Sequence, residues 1–216
     1  MTASDKVFHF FAENRSTAYA IVFGLGILLV SFLGVWYNQQ AKASKMESLL
    51  VEMEKVRNQS GRQPDQVAAD IEAYLQKFSE GAQKQRARLL LADIYFQNKH
   101  FDKAIQQYSE VTAKGSVENL VYSLAQLGLA YAYEGRKEHK KSIEIYKAII
   151  DNKKSSLPLL PVYLDLARSY EMDNDPKNAL LLLRDIKNKF PNIADLEKIG
   201  KQIDHLEKSE SPSNLK

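Results

Sequence analysis

The hydrophobic and polar positions of this chain follow two different rules. Between Arg15 and Lys42 no side chain is charged, and Ala18 to Tyr37 reads AYAIVFGLGILLVSFLGVWY. Beyond Lys42 the apolar residues recur every three or four positions, as one face of a helix requires. At about 1.5 Å per residue, roughly 20 apolar residues make a helix about 30 Å long, the hydrocarbon thickness of a bilayer. A lone helix pairs its backbone groups internally, which lipid demands. Ile21, Val22, Phe23, Ile27, Leu28, Leu29, Val30, Phe32 and Leu33 supply an apolar wall. Trp36 and Tyr37 stand at its far end, where amphipathic rings favour the membrane interface. The run predicts a transmembrane helix over residues 18–38 behind a short N-terminal segment, 1–17. It is too long for a buried core helix. A cleaved signal peptide is the competing reading, since Ala41-Lys42-Ala43 resembles a cleavage site. Signal h-regions span only about 7–15 residues, so a retained anchor fits better. Lys6 and Arg15 on one side nearly balance Lys42 and Lys45 on the other, so charge alone does not orient the span.

The polar remainder, residues 39–206, reads as helices throughout. Ala43, Met46, Leu49, Leu50, Met53 and Val56 share one helix face. Ser60-Gly61 stops that helix and Pro64 opens the next, whose apolar face is Val67, Ala68, Ile71, Tyr74, Leu75 and Phe78. An internal repeat follows. Leu91-Ala92 precedes Tyr95, then Phe101, Ala104 and Tyr108; later, Leu166-Ala167 precedes Tyr170, then Ala179 and Leu183. In both copies nine residues separate the tyrosine from the alanine and four more reach the large residue. The middle copy has two registers. Leu127-Gly128 with Tyr131, Ser142 and Tyr146 implies an insertion in the turn around Arg136 to Lys140. Tyr133 as the counterpart restores the nine-residue interval but loses Leu-Gly. The small residues suit the close crossing of two antiparallel helices, with the large aromatics filling the adjoining holes. Each helix pair leaves one face uncovered, so copies must stack. Asp175-Pro176 reads as an N-cap followed by proline at the first helical position. A last helix is expected from Ile193 to Leu206, and the Ser-rich polar stretch 207–216 as a disordered tail.

These spacings resemble tetratricopeptide repeats. Leu91-Ala92-x-x-Tyr95 with Phe101, Ala104 and Tyr108, and Leu166-Ala167-x-x-Tyr170 with Ala179 and Pro191, carry the likeness. The expected fold is all-α: an N-terminal transmembrane helix, then a tetratricopeptide-like right-handed α-solenoid of about three to four helix pairs. In such stacks the first helices line a concave groove. On the face away from the packed Leu-Ala-Tyr positions stand Arg86, Asp93, Phe96 and Gln97 in the first copy, Tyr122, Leu129 and Tyr133 in the middle one, and Arg168, Glu171 and Met172 in the last. Aromatics, a methionine and a few charges suit a segment of unfolded or extended chain. The Lys/Asn clamp that some tetratricopeptide proteins use for a terminal carboxylate is missing, since Leu89 and Asp93 occupy its positions.

A narrower likeness lies at the N-terminus. Phe10-Phe11-Ala12-Glu13-Asn14 directly before a single span, with a helical domain opening near Met46, resembles the ancillary Sec-translocon subunits of bacteria. That resemblance implies a single-pass protein of the inner membrane, with a cytoplasmic N-terminus and a periplasmic repeat domain. It also implies partners among translocon subunits, periplasmic chaperones and exported chains.

Composition narrows the chemistry. The chain has no cysteine, which excludes disulfides, thiolate metal sites and a cysteine nucleophile. With 30 basic and 27 acidic residues there is no basic stripe for nucleic acid. His9, His100, His139 and His205 lack metal-ligand spacing. Asp204 and His205 are adjacent, and neighbours on a helix point in different directions. There is no phosphate-cradling glycine loop. The sequence therefore predicts no enzyme, no cofactor, no metal and no small-molecule substrate. It predicts a membrane-anchored protein-protein interaction module, and the resemblance at the N-terminus implies that this module is an ancillary Sec-translocon subunit linking export to periplasmic chaperones. A scaffold in envelope assembly or cell division, using the same repeats, is the alternative.

Overall fold

A computed structural model describes residues 15–58, 62–115, 120–192, 194 and 196–210. The Phe10 to Asn14 segment lies outside the described residues. Among those described, nine α-helices account for the fold. They are α1 (Arg15–Arg57), α2 (Pro64–Leu75), α3 (Ala82–Gln97), α4 (Phe101–Lys114), α5 (Leu120–Gly135), α6 (His139–Asp151), α7 (Leu159–Met172), α8 (Pro176–Lys189) and α9 (Leu196–Glu210).

The chain divides into two compact units, residues 1–49 and 50–216. The first holds most of α1. From Tyr19 onward α1 is long and apolar enough to cross a membrane. Its large apolar side chains face outward: Phe23 and Tyr37 are each 73% exposed, Trp36 55%. Apolar residues surround the helix on all sides, as a span in lipid requires and a helix on a protein core does not.

The second unit begins within α1, whose Leu50 and Met53 are buried, and continues through α9. Each helix from α2 to α9 packs on the next in sequence, and α3 also packs directly on α5. The helices pair as α3–α4, α5–α6 and α7–α8, an all-α solenoid. Pro64 and Pro176 open α2 and α8 at positions where a missing N–H costs nothing, and the Asp175 side chain accepts a bond from the Asn178 N–H at 3.1 Å. The crossing residues Ala92, Ala104, Ala130, Ala167 and Ala179 are essentially solvent-free. The open face of the last pair is covered by α9, whose Ile199, Ile203 and Leu206 join Leu183 and Ile186 in one core. Burying such a side chain contributes about 1.5–3 kcal/mol, so a single amphipathic helix suffices to close the stack. This helix continues to Glu210, past the boundary expected at Leu206. Residues 211–216 lie outside the described residues.

The turns inside the three pairs are copies of one another and decide the middle register. Lys99, Lys137 and Asn174 have φ of 61°, 63° and 59°. The following N–H reaches back five residues in each case: His100 to the Tyr95 carbonyl (2.8 Å), Glu138 to Tyr133 (2.9 Å) and Asp175 to Tyr170 (2.9 Å). This is the left-handed C-terminal closure in which orphan carbonyls find donors. Tyr133, not Tyr131, is therefore the counterpart of Tyr95 and Tyr170. A lysine ammonium also lies over each of the first two rings, Lys103 over Tyr95 at 5.1 Å and Lys141 over Tyr133 at 5.0 Å. The turn at Arg136 to Lys140 carries no insertion, and Leu129-Ala130 stands where Leu91-Ala92 and Leu166-Ala167 stand. Gly128 has a separate role. A Cβ there would run into the Tyr108 ring, so glycine lets α5 close onto α4.

Candidate functional site

With the register settled, equivalent positions of the first helices α3, α5 and α7 fall into two rows. Asp93, Tyr131 and Arg168 form one; Phe96, Glu134 and Glu171 form the other. The second row of each helix meets the first row of the next. The Phe96 ring lies 6.4 Å from Tyr131 and 5.8 Å from Phe101. Arg168 Nη2 donates to Glu134 Oε2 at 2.9 Å. Gln202 of α9 closes the series, its Nε2 donating to Glu171 Oε1 at 2.5 Å. The inner face of the solenoid is thus a ladder of side-chain rungs, aromatic at one end and ionic farther on.

The ionic rung is the centre of a larger network. Arg168 Nη1 pairs with Asp165 at 2.8 Å, and Tyr131 OH donates to the other Asp165 oxygen at 2.5 Å. Glu134 also accepts from Tyr146 OH at 3.2 Å and from the Ser169 hydroxyl. Ser142 and Ser169, both solvent-free, bond each other at 3.3 Å. Two largely buried carboxylates share one guanidinium, and hydroxyl donors satisfy their remaining lone pairs, as burial of charge requires. Burial raises the phenols of Tyr108, Tyr131 and Tyr146 far above their ordinary range, and the neighbouring acids push the same way. They therefore remain protonated donors. At the aromatic end, Tyr108 OH donates to Asp93 at 2.7 Å. Burial pushes the Asp93 carboxyl up, against the opposing effects of that bond and of Arg57.

Comparison with known proteins agrees with this geometry. Residues 9–153 match the tetratricopeptide repeat-like domain family, and residues 162–192 match the tetratricopeptide repeat. The chain belongs to the tetratricopeptide repeat-like family. No curated protein matches it. Two crystal structures of nearly identical TPR-like repeats, ascribed to a Podosopora anserina kinesin light chain, are similar in fold. One, of a point variant, has a TM-score of 0.63 and 17% identity, over 76% of this chain and 87% of that one. The other has a TM-score of 0.58 and 16% identity, over 77% and 98%. At these identities the likeness concerns the fold alone.

The expected groove residues separate in this tetratricopeptide domain. Asp93, Phe96, Arg168 and Glu171 belong to the rungs. Arg86 and Gln97 are on α3, and Met172 is 47% exposed at the end of α7. Tyr122, Leu129 and Tyr133 are not with them. Tyr122 and Leu129 line a cavity of about 360 Å³ between α4 and α6, on the side of the second helices. Tyr133 sits beneath the α5–α6 turn against Lys141. The shift of two residues in register turns α5 by more than half a revolution, which carries those side chains off the inner face. In their place stand Leu124, Leu127, Tyr131 and Glu134. The Leu129-Ala130-x-x-Tyr133 motif, nine residues before Ser142, was the signal that identifies them. Among the described residues no group of three or more His, Asp or Glu side chains could hold a metal ion.

Proposed function

We propose that this protein is a membrane-tethered interaction module, anchored by α1 and binding an extended segment of another protein on the inner face of its repeats. The uncharged, outward-facing apolar stretch of α1, in a chain whose helices α3 to α8 form three tetratricopeptide-type pairs, carries this reading. Exposed Met172, Leu124 and Leu120 supply apolar contact beside the polar rungs. Trp36 and Tyr37 mark the membrane interface. The charges of Glu134, Asp165 and Arg168 are paired with one another, and Arg168 stays 45% exposed at the edge of the inner face. Tethering confines the groove near its clients and raises their effective concentration.

The finer reading is an ancillary subunit of the bacterial Sec translocon, in the inner membrane with its repeats in the periplasm, receiving exported chains and linking them to chaperones. Its support is the Phe10 to Asn14 segment before the apolar run, together with the anchored-repeat layout. A reporter fused after Lys216 tests the orientation: activity only in the cytoplasm would sink the periplasmic placement. Purification in mild detergent tests the partners. Recovery of translocon subunits and chaperones is the expected result, and recovery of neither would leave only the general module.

A further inference from the structure

The outer side of the solenoid carries two grooves that are structural copies. The first lies between α4 and α6 with α5 as its floor; Leu129, Glu144, Ile145 and Ala148 line it, and its volume is about 360 Å³. The second lies between α6 and α8 over α7; Leu166, Leu181, Leu182 and Asp185 line it, and its volume is about 330 Å³. Those four residues are the register counterparts, 37 positions on, of the four in the first groove. The cause is topological. The α5 helix is wedged between α4 and α6, and α7 between α6 and α8, so these second helices stand apart and leave a valley above the helix they flank.

We propose that this pair of outer grooves docks a basic amphipathic helix of a partner protein, seating one apolar side chain in each groove. The valleys are apolar and open: Leu181 is 53% exposed, and Leu166, Ile145 and Leu182 continue its surface inward. The acids on their rims outnumber the bases by one: Glu144, Asp151 and Asp185 face Lys147, which lies over the Tyr170 ring at 5.4 Å, and Lys189, which lies over the Tyr163 ring at 5.0 Å. Lys189 offsets Asp185 at 2.8 Å and still leaves the acids in excess. The two grooves flank α6, so they lie about one helix diameter apart, ~10 Å. Two helical turns rise about 10.5 Å, so residues at i and i+7 of one helix reach both grooves. Lysines beside those anchors meet the acidic rims, which selects partner and orientation. This surface is separate from the inner face, and it holds whether or not the translocon reading does.

The test uses the full chain in non-ionic detergent and two fluorescein-labelled helical peptides of about 20 residues. One carries leucines at i and i+7 flanked by lysines; its twin has glutamate for each lysine. Anisotropy should show the lysine peptide binding about tenfold or more tighter than its twin. Leu181→Asn and Ala148→Gln change exposed positions and leave folding intact; each should weaken binding about fivefold or more. Glu144→Lys with Asp185→Lys should reverse the preference between peptides. Met172→Ser, on the inner face, should leave binding unchanged. Equal binding of the twins, or indifference to both Leu181→Asn and Ala148→Gln, overturns the proposal. Self-association of the chain that Leu181→Asn abolishes also overturns it, assigning the grooves to a second copy. Co-purification and topology address the function proposed above, so either reading can fail without the other.

Discussion

The inner and outer faces of the solenoid treat equivalent repeat positions in opposite ways. On the inner face each first helix is the neighbour of the next, and its side chains must suit that neighbour: Phe96 meets Tyr131, Glu134 meets Arg168, and Glu171 meets Gln202. On the outer face the second helices are held apart, so Leu181 and Glu144 answer to no adjacent helix. Residue type at the inner-face rungs is therefore constrained by the stack, which leaves the exposed side chains beside them, such as Met172 and Leu124, to a partner, while the outer-face positions carry no such constraint. Changes at the rungs should therefore cost stability, and changes on the outer face should not.

The seam joining the faces should be the most sensitive place. Gly128→Val drives a branched side chain into the Tyr108 ring, which is buried and anchored by its bond to Asp93. Neither helix can yield without disturbing the next pair, so about 3 kcal/mol of stability should be lost. Urea denaturation followed by circular dichroism would show it. Leu181→Asn on the outer face should shift the same curve by less than about 0.5 kcal/mol. Equal losses at the two positions would erase the distinction between the faces.

Arg168→Leu comes next. It leaves Glu134 and Asp165 with hydroxyl donors but no positive charge. Removing one member of a fully buried ion pair costs about 3–5 kcal/mol, but Arg168 is 45% exposed and solvent screens part of that, so about 2 kcal/mol is expected. Combining Arg168→Leu with Glu134→Gln should cost less than the sum of the two, because the second change removes a charge the first has stranded. Strict additivity would mean that the rung is two separate surface contacts.

How much of this is legible in the sequence follows from where the information lies. The long apolar run and the helix pairs are local signals, and both are read directly from Ala18 to Tyr37 and from the Leu-Ala-x-x-Tyr spacing. The N-cap at Asp175-Pro176 is equally local, and its bond is present. The middle register is not obvious, because LGLAYAY offers two small-residue pairs and two tyrosines two positions apart. What decides it is the turn, where Lys137 takes the left-handed conformation without the glycine that usually announces it. Misplacing that register moves Tyr122 and Leu129 from the outer side to the inner one. The Glu134–Arg168 rung spans two repeats, and no local pattern could reveal it.

The Asp175 cap sharpens the comparison at smaller scale. Asp175→Ala removes the acceptor for the Asn178 N–H and should cost about 1 kcal/mol. Bonds from the Asn178 side chain and backbone lower the Asp175 carboxyl below its ordinary 3.8. A lowered native value means the folded state favours the carboxylate. The cap's contribution is thus complete above about pH 5 and is lost as pH falls through 3.8 toward the native value. Denaturation of the wild type and Asp175→Ala at pH 7 and pH 3 should show the gap narrowing at the lower pH. A gap that widens there would mean that the side chain acts as a neutral acceptor.

The smallest effect should have the opposite sign. Lys137 holds φ of 63° in the same turn that Lys99 and Asn174 form. A lysine there is strained by its Cβ, at about 1 kcal/mol, while glycine is not. Glycine also makes the unfolded chain more flexible, which returns part of the gain, so Lys137→Gly should stabilise by only about 0.5 kcal/mol. Asn174→Gly should give less, since asparagine tolerates this conformation through its short polar side chain. The ordering matters more than either magnitude. If Lys137→Gly destabilised the protein while Asn174→Gly did not, the aliphatic stem of Lys137 would be holding the α5–α6 turn by packing. The three turns would then share a backbone but not a cause, and the middle pair would differ from its neighbours in how its turn is held.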